Sequence, residues 1–107
     1  TESNPLGVVL PVDSTTARLD EAAWAKWLAF DPLTMIESGA NNLQNLAALW
    51  IDCGDKDQYH IQYGSRLLVK RLTSLGVEHH WEEFDGTHSG IDHRLDLSLP
   101  FLSKALN

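Results

Sequence analysis

Two side chains with the chemistry of an acid–base pair each follow a segment that is typical of a β-strand. Asp57 closes an acidic turn directly after an apolar run at residues 46–53. His88 lies in a glycine-punctuated loop at residues 85–90, after a mixed segment at residues 77–84. A carboxylate that accepts the Nδ1 proton of a histidine fixes the tautomer of the ring and leaves Nε2 as a general base. We therefore predict that Asp57 and His88 form such a pair.

The residue types leave other interpretations open. Asp55 shares the turn with Asp57, and Asp52 lies within the apolar run. Because successive side chains of a strand alternate between faces, Asp52 can point away from the turn. Asp55 and Asp57 can instead cap the helix that we predict to begin near Tyr59, and His88 can be an ordinary loop residue. The residues by themselves make Asp57 and His88 the leading pair among these.

The elements that must position this pair follow from the spacing of apolar residues. Residues 46–53 are typical of a strand buried on both faces, and residues 77–84 of a more polar strand near a sheet edge. Between them, residues 59–75 follow a helical period, and Gly64 on its apolar stripe indicates close contact with the sheet. Strand, helix and strand predict a right-handed βαβ unit with parallel strands and an α/β fold. Both candidate loops then emerge at the same sheet edge.

Further helices flank this unit. An alanine-rich segment at residues 20–30 favours a helix with Asp20 as its N-cap, and residues 91–106 form the last helix. We predict mostly loop over residues 1–18 and again over residues 39–45, which hold glycine, glutamine and three asparagines. We predict that the last helix has a buried stripe formed by Leu95, Leu99, Leu102 and Leu106.

Length and composition bound the classes of function. The chain has 107 residues and a hydrophobic content of 43%, which suit one folded domain. A net charge of −7 disfavours nucleic acid and anionic membranes as partners, since both require a basic face. Two strands are few for a stable sheet. We therefore predict a single incomplete domain, with a loop and helical segment at residues 1–45 and the βαβ unit and last helix at residues 46–107.

Other candidate sites fit their surroundings less well. Metal-capable side chains are dense around the second strand: His79, His80, Glu82, Glu83, Asp85, His88 and His93. Adjacent strand residues face opposite sides, so His79 and His80 cannot both bind one ion, and no zinc spacing is present. Cys53 is the single cysteine, which excludes an intrachain disulfide, and its place in an apolar strand indicates a small buried residue. We predict neither a metal nor a cofactor.

A resemblance to a known family narrows the choice of acid. The pattern of an apolar strand, Gly54, two residues and Asp57 resembles the acid loop of α/β-hydrolases. The sequence WEEFDGTHSG at residues 81–90 resembles the histidine loop of the α/β-hydrolases that include esterase D-like, feruloyl esterase-like and enterochelin esterase-like enzymes. The resemblance covers residues 46–107, and a weaker resemblance extends over residues 5–35.

The resemblance implies a role for each candidate residue. Asp57 becomes the acid and His88 the base of a Ser–His–Asp triad that hydrolyses carboxylic esters, whereas Asp52 and Asp55 become structural. The implied fold is a partial three-layer α/β-hydrolase fragment, and a small ester is the implied substrate. No cofactor is implied.

The sequence departs from this family in the nucleophile. The family presents its serine in a strained Gly-x-Ser-x-Gly turn. No serine of this chain lies in such a motif: Ser3, Ser14, Ser38, Ser65, Ser74, Ser89, Ser98 and Ser103. We therefore expect the chain by itself to be inactive as an esterase and to require an upstream hydrolase portion. The alternative is a non-catalytic module that forms homo-oligomers through its exposed sheet edge and the helix that carries Trp24 and Trp27.

Overall fold

The computed structural model describes residues 7–107, so the first six residues of the loop predicted over residues 1–18 lie outside the described part. The elements are, in chain order, the helices α1 (Glu21–Leu28) and α2 (Pro32–Gln44), the strand β1 (Trp50–Gly54), the helix α3 (Ile61–Ser74), the strand β2 (His80–Phe84), a 3₁₀ turn (Asp92–Arg94) and the helix α4 (Leu95–Leu106). Contacts divide the chain into two compact units, Thr1–Met35 and Ile36–Asn107. The fold class is α/β, as predicted.

Short-range hydrogen bonds hold the described part of the first unit. The carboxylate of Asp20 caps α1 by accepting a first-turn N–H at 3.0 Å, as the sequence predicts. Upstream of the helix, an antiparallel bridge joins Val12, in the segment predicted as loop, to Leu19. The indole N–H of Trp27 donates to the carbonyl oxygen of Val9 at 2.8 Å, which ties the start of this segment to α1.

The second unit contains the predicted βαβ arrangement. β1 and β2 are parallel neighbours, and their register runs from Trp50 opposite His80 to Gly54 opposite Phe84. The helix α3 connects the end of β1 to the start of β2. The carboxyl ends of both strands therefore lie at one edge of the sheet, which is the edge from which the loops of Asp57 and His88 emerge.

Helices cover both faces of this two-stranded sheet. On one face, Ile36 of α2 and Leu72 of α3 form a buried core against which Ile51 of β1 packs. On the other face, the ring of Phe101 in α4 lies 5.3 Å from the ring of Trp50 in β1. Because Trp50 and Ile51 are successive strand residues, their side chains point to opposite faces. The sheet therefore lies between α4 on one side and α2 with α3 on the other.

The loop predicted over residues 39–45 is wrong, because α2 continues to Gln44. Burial overrides the turn preference of Gly39 and the asparagines. The apolar residues of this helix recur at helical spacing and pack on the core: Ile36, Ala40 and Leu43. The side-chain amide Nε2 of Gln44 also donates to the backbone carbonyl oxygen of Leu75 at 3.0 Å, which attaches the end of α2 to the end of α3.

Both strands begin later than predicted, because neighbouring helix ends use the donors of the preceding residues. The N–H of Leu46 donates to the carbonyl oxygen of Leu43 at the end of α2. The N–H of Val77 donates to the carbonyl oxygen of Leu72 at the end of α3. These two donors close helices, and pairing between the strands starts only where His80 donates its N–H to the residue before β1, at 2.8 Å.

Two predictions about helix faces are also wrong. The predicted buried stripe of the last helix is largely exposed at Leu95, Leu99 and Leu106. Of the predicted stripe, Leu102 is half-buried, and the other half-buried positions of α4 are Ser98 and Phe101. The sheet lies on this side of the helix, where Phe101 meets Trp50 and the preceding Arg94 binds Asp52. Gly64 makes no close contact with the sheet, since a Cβ at this position would meet nothing within 4 Å.

Candidate functional site

Asp57 lies in the loop that follows β1, residues 55–59, here termed the acid loop. Its side chain is buried, and the residue is only 4% exposed. Its Oδ1 accepts the N–H of Tyr59 at 2.8 Å, and its Oδ2 lies 2.8 Å from Nδ1 of His88. Burial by itself raises the pKa of this carboxyl, but the hydrogen bonds from His88 and from the N–H groups of Tyr59 and Ile61 outweigh it and lower the pKa. Asp57 is therefore a charged acceptor.

His88 lies in the loop that follows β2, residues 85–90, here termed the histidine loop. A charged carboxylate only accepts hydrogen bonds, so Nδ1 of His88 donates to Asp57 and the neutral ring has its lone pair at Nε2. Within the described part of the chain, Nε2 has no hydrogen-bond partner, and 51% of the side chain is exposed. The ring of Tyr59 meets the imidazole edge to face at 5.0 Å. The arrangement leaves Nε2 able to accept a proton from a group that approaches from solvent.

The acid loop and the histidine loop are in backbone contact. The N–H of Lys56 donates to the carbonyl oxygen of Gly86 at 2.9 Å, and the carboxylate of Asp55 accepts the N–H of Gly86 at 3.2 Å. A Cβ at Gly54 would lie 2.5 Å from the carbonyl oxygen of Gly86 and 2.7 Å from that of Thr87. Only glycine therefore allows the two loops to approach this closely at the end of β1.

The other two aspartates of the sequence prediction have partners other than His88. Asp55 holds the histidine loop through the backbone of Gly86, as described above. Asp52 faces the α4 side, where its Oδ2 accepts from Nε of Arg94 at 2.9 Å. Nη2 of the same arginine donates to Glu82 of the neighbouring strand at 2.8 Å. Both aspartates thus make contacts that hold loops and helices in place.

Cys53 is buried on the α3 side of the sheet. Burial and then the negative charge of Asp57 raise the pKa of its thiol, which disfavours the reactive thiolate.

The three other histidines of the candidate metal cluster have separate surroundings. His79 and His93 place Nδ1 within 3.0 Å of backbone carbonyl oxygens, and His80 stacks on Trp50 at 4.2 Å. Within residues 7–107, no three histidine, cysteine or acidic side chains are grouped so as to hold a metal ion.

Sequence reasoning missed three residues that contact or support the site. Gln58 accepts the backbone N–H of His88 through its Oε1 at 3.0 Å, and Tyr59 packs against the imidazole ring. Both follow Asp57 directly in the sequence, and this position next to the predicted acid was the signal that could have indicated them. Arg94 links Asp52 to Glu82 across the sheet, and no spacing in the sequence predicts this contact.

None of the helices in the described range is long and apolar enough to cross a lipid bilayer. Comparison with protein-family models and with curated proteins finds no match for this chain.

Proposed function

We propose that this chain contributes the aspartate and histidine of a Ser–His–Asp triad in an enzyme that hydrolyses carboxylic esters. The observation that carries the proposal is the 2.8 Å contact between the buried Asp57 carboxylate and Nδ1 of His88, whose side chain is half exposed to solvent. The resemblance of the acid loop and the histidine loop to those of α/β-hydrolases supports it. The serine and the oxyanion donors would come from an upstream hydrolase portion.

In the proposed reaction, Nε2 of His88 takes the proton of the serine hydroxyl while the serine oxygen attacks the ester carbonyl. The tetrahedral intermediate then collapses, the bond to the alkoxy group breaks, and His88 returns the proton to the departing alcohol. Water repeats the sequence on the acyl-enzyme and releases the acid. Asp57 keeps the ring in the required tautomer and stabilises the imidazolium form.

The test compares hydrolysis of p-nitrophenyl esters by this chain and by the chain extended upstream to include a Gly-x-Ser-x-Gly motif. We expect activity only in the extended protein, and we expect Asp57→Asn to reduce kcat by about 10⁴-fold through the wrong tautomer. Asp92→Asn, an exposed carboxylate near the histidine loop, is the matched control and should retain activity. An upstream sequence without this motif, or activity that survives His88→Ala, would contradict the proposal.

A second candidate function is a non-catalytic module that associates with another copy of the chain. It is favoured by exposed leucines along one side of α4, where Leu95, Leu99 and Leu106 are 52%, 56% and 78% exposed. Sedimentation equilibrium should then show concentration-dependent association that Leu99→Gln weakens. Leu67→Gln, an equally exposed leucine of α3, is the control. A monomer at all concentrations would exclude this function.

A further inference from the structure

We infer that Gln58 is a positioning residue that sets the orientation of the His88 ring toward Asp57. The inference deepens the function proposed above, and its consequence for catalysis rests on that function. Its structural part stands on the contacts between the acid loop and the histidine loop and is tested without any activity.

Two consecutive residues of the acid loop hold two different parts of one histidine. Oε1 of Gln58 accepts the backbone N–H of His88 at 3.0 Å, and Oδ2 of Asp57 accepts from its ring Nδ1 at 2.8 Å. A histidine attached at its main chain and at its ring has little freedom to rotate about its side-chain bonds. The direction of Nε2 is therefore determined by Gln58 and Asp57 together.

The other hydrogen bonds between the two loops involve residues of the histidine loop that precede His88. Asp55 and Lys56 both bind the backbone of Gly86. The next residue is Thr87. Its hydroxyl donates to the carbonyl oxygen of Ser89, so this bond stays within the histidine loop. Beyond Gly86, the bonds that join the two loops within the described residues are those of Gln58 and Asp57.

Exposure makes this second attachment important. The His88 side chain is 51% exposed, so solvent competes for its hydrogen bonds, and the ring contact with Tyr59 covers it only in part. The Asp57 side chain is buried, and its other carboxylate oxygen accepts the N–H of Tyr59. The histidine is therefore the less restrained partner of the pair, and the Gln58 bond holds it at the backbone.

The test measures hydrogen exchange at two protons of His88 by NMR in the isotopically labelled chain. One is the backbone N–H that Gln58 accepts, and the other is the ring Nδ1–H that Asp57 accepts. Gln58→Met keeps the side-chain length and removes the acceptor. We expect both protons to exchange about fivefold faster in this variant, the size of one typical hydrogen bond. Gln58→Glu, which keeps an acceptor oxygen, should restore slow exchange.

Gln44→Met is the matched control, because Gln44 binds the carbonyl oxygen of Leu75 and does not touch either loop. Faster exchange of the backbone proton with an unchanged ring proton would overturn the inference, since Gln58 would then hold only the loop. No change at either proton would also overturn it. Because exchange needs no serine, failure of the esterase proposal would leave this result intact, and the two outcomes are distinguishable.

Discussion

At the scale of single residues, Asp57 combines two opposing effects on one carboxyl group. Burial disfavours its charge, whereas the bond from His88 and the N–H groups of Tyr59 and Ile61 favour it and lower the pKa overall. The acid is thus held ionised beside a histidine that remains accessible to solvent. A neutral ring that donates from Nδ1 to this carboxylate keeps Nε2 free to accept a proton.

The lowered pKa of Asp57 predicts how the stability of the chain depends on pH. The unfolded chain binds its Asp57 proton at an ordinary pKa of about 3.9, higher than in the folded state. The ionised group therefore stabilises the fold at neutral pH, and this contribution is lost as pH falls through the folded-state pKa. We expect Asp57→Asn to flatten the acid side of the stability curve measured by urea unfolding.

Asp96→Asn, which removes an exposed carboxylate from α4, controls for the general change in charge. If the stability of Asp57→Asn falls with decreasing pH as steeply as that of the original chain, the Asp57 charge does not stabilise the fold.

At the scale of elements, the close approach of two loops brings the acid and the histidine together. Gly54 ends β1 directly against the backbone of Gly86 and Thr87, which belong to the histidine loop. On the α4 side of the sheet, Arg94 lies between Asp52 and Glu82, which are opposite each other in the register of the strands. Backbone contact and ionic contact thus fix the relative positions of neighbouring elements.

Gly54→Ala should destabilise the chain by about 1–3 kcal/mol, because its Cβ would overlap the carbonyl oxygens of Gly86 and Thr87. Gly64→Ala is the control in α3, where a Cβ meets nothing within 4 Å. That variant should gain about 0.5–1 kcal/mol from helix propensity. Urea unfolding measures the free energy of unfolding of both variants. Equal changes in the two would contradict the close approach of the loops.

Arg94→Met should cost about 1–3 kcal/mol, because it leaves Asp52 and Glu82 as like charges on adjacent strands. The arginine side chain is only 14% exposed, so solvent replaces its contacts poorly. Arg66→Met, which removes a more exposed ion pair with Glu83, should cost less than about 1 kcal/mol. Recovery of stability when Arg94→Met is combined with Asp52→Asn would confirm repulsion as the cause.

At the scale of the whole molecule, the buried core of the second unit is small. In the described part, its core cluster of buried apolar side chains consists of Ile36, Leu72 and Val77, and half-buried apolar residues pack around it. Large apolar side chains remain exposed on several helices. A two-stranded sheet with so few buried residues has limited stability, so single core positions should have large effects.

Leu72 is 1% exposed, and Leu67 in the same helix is 55% exposed. Leu72→Ala should therefore cost about 2–4 kcal/mol through lost burial and the cavity that remains. Leu67→Ala should cost less than about 1 kcal/mol. The midpoint of thermal unfolding measures both, and similar shifts would contradict a core centred on Leu72.

The sequence by itself was sufficient to predict the α/β class, the parallel strands and the place of Asp57 and His88 at one sheet edge. Apolar spacing and the connection through one helix carry this information, because both are local properties of the chain. The roles of the pair in ester hydrolysis remain a prediction. The loop at residues 39–45 was predicted from local turn preference, and burial of Ile36 and Leu43 against α3 overrode it.

Only the tertiary structure decided which groups hold the pair in place. The bond from His88 to Gln58, the contact of Gly54 with Gly86 and the position of Arg94 across the sheet join residues that are far apart in sequence. Such contacts depend on the register of β1 with β2 and on which side of α4 faces the sheet. Packing of the elements sets both, and the spacing of residue types along the chain does not record either.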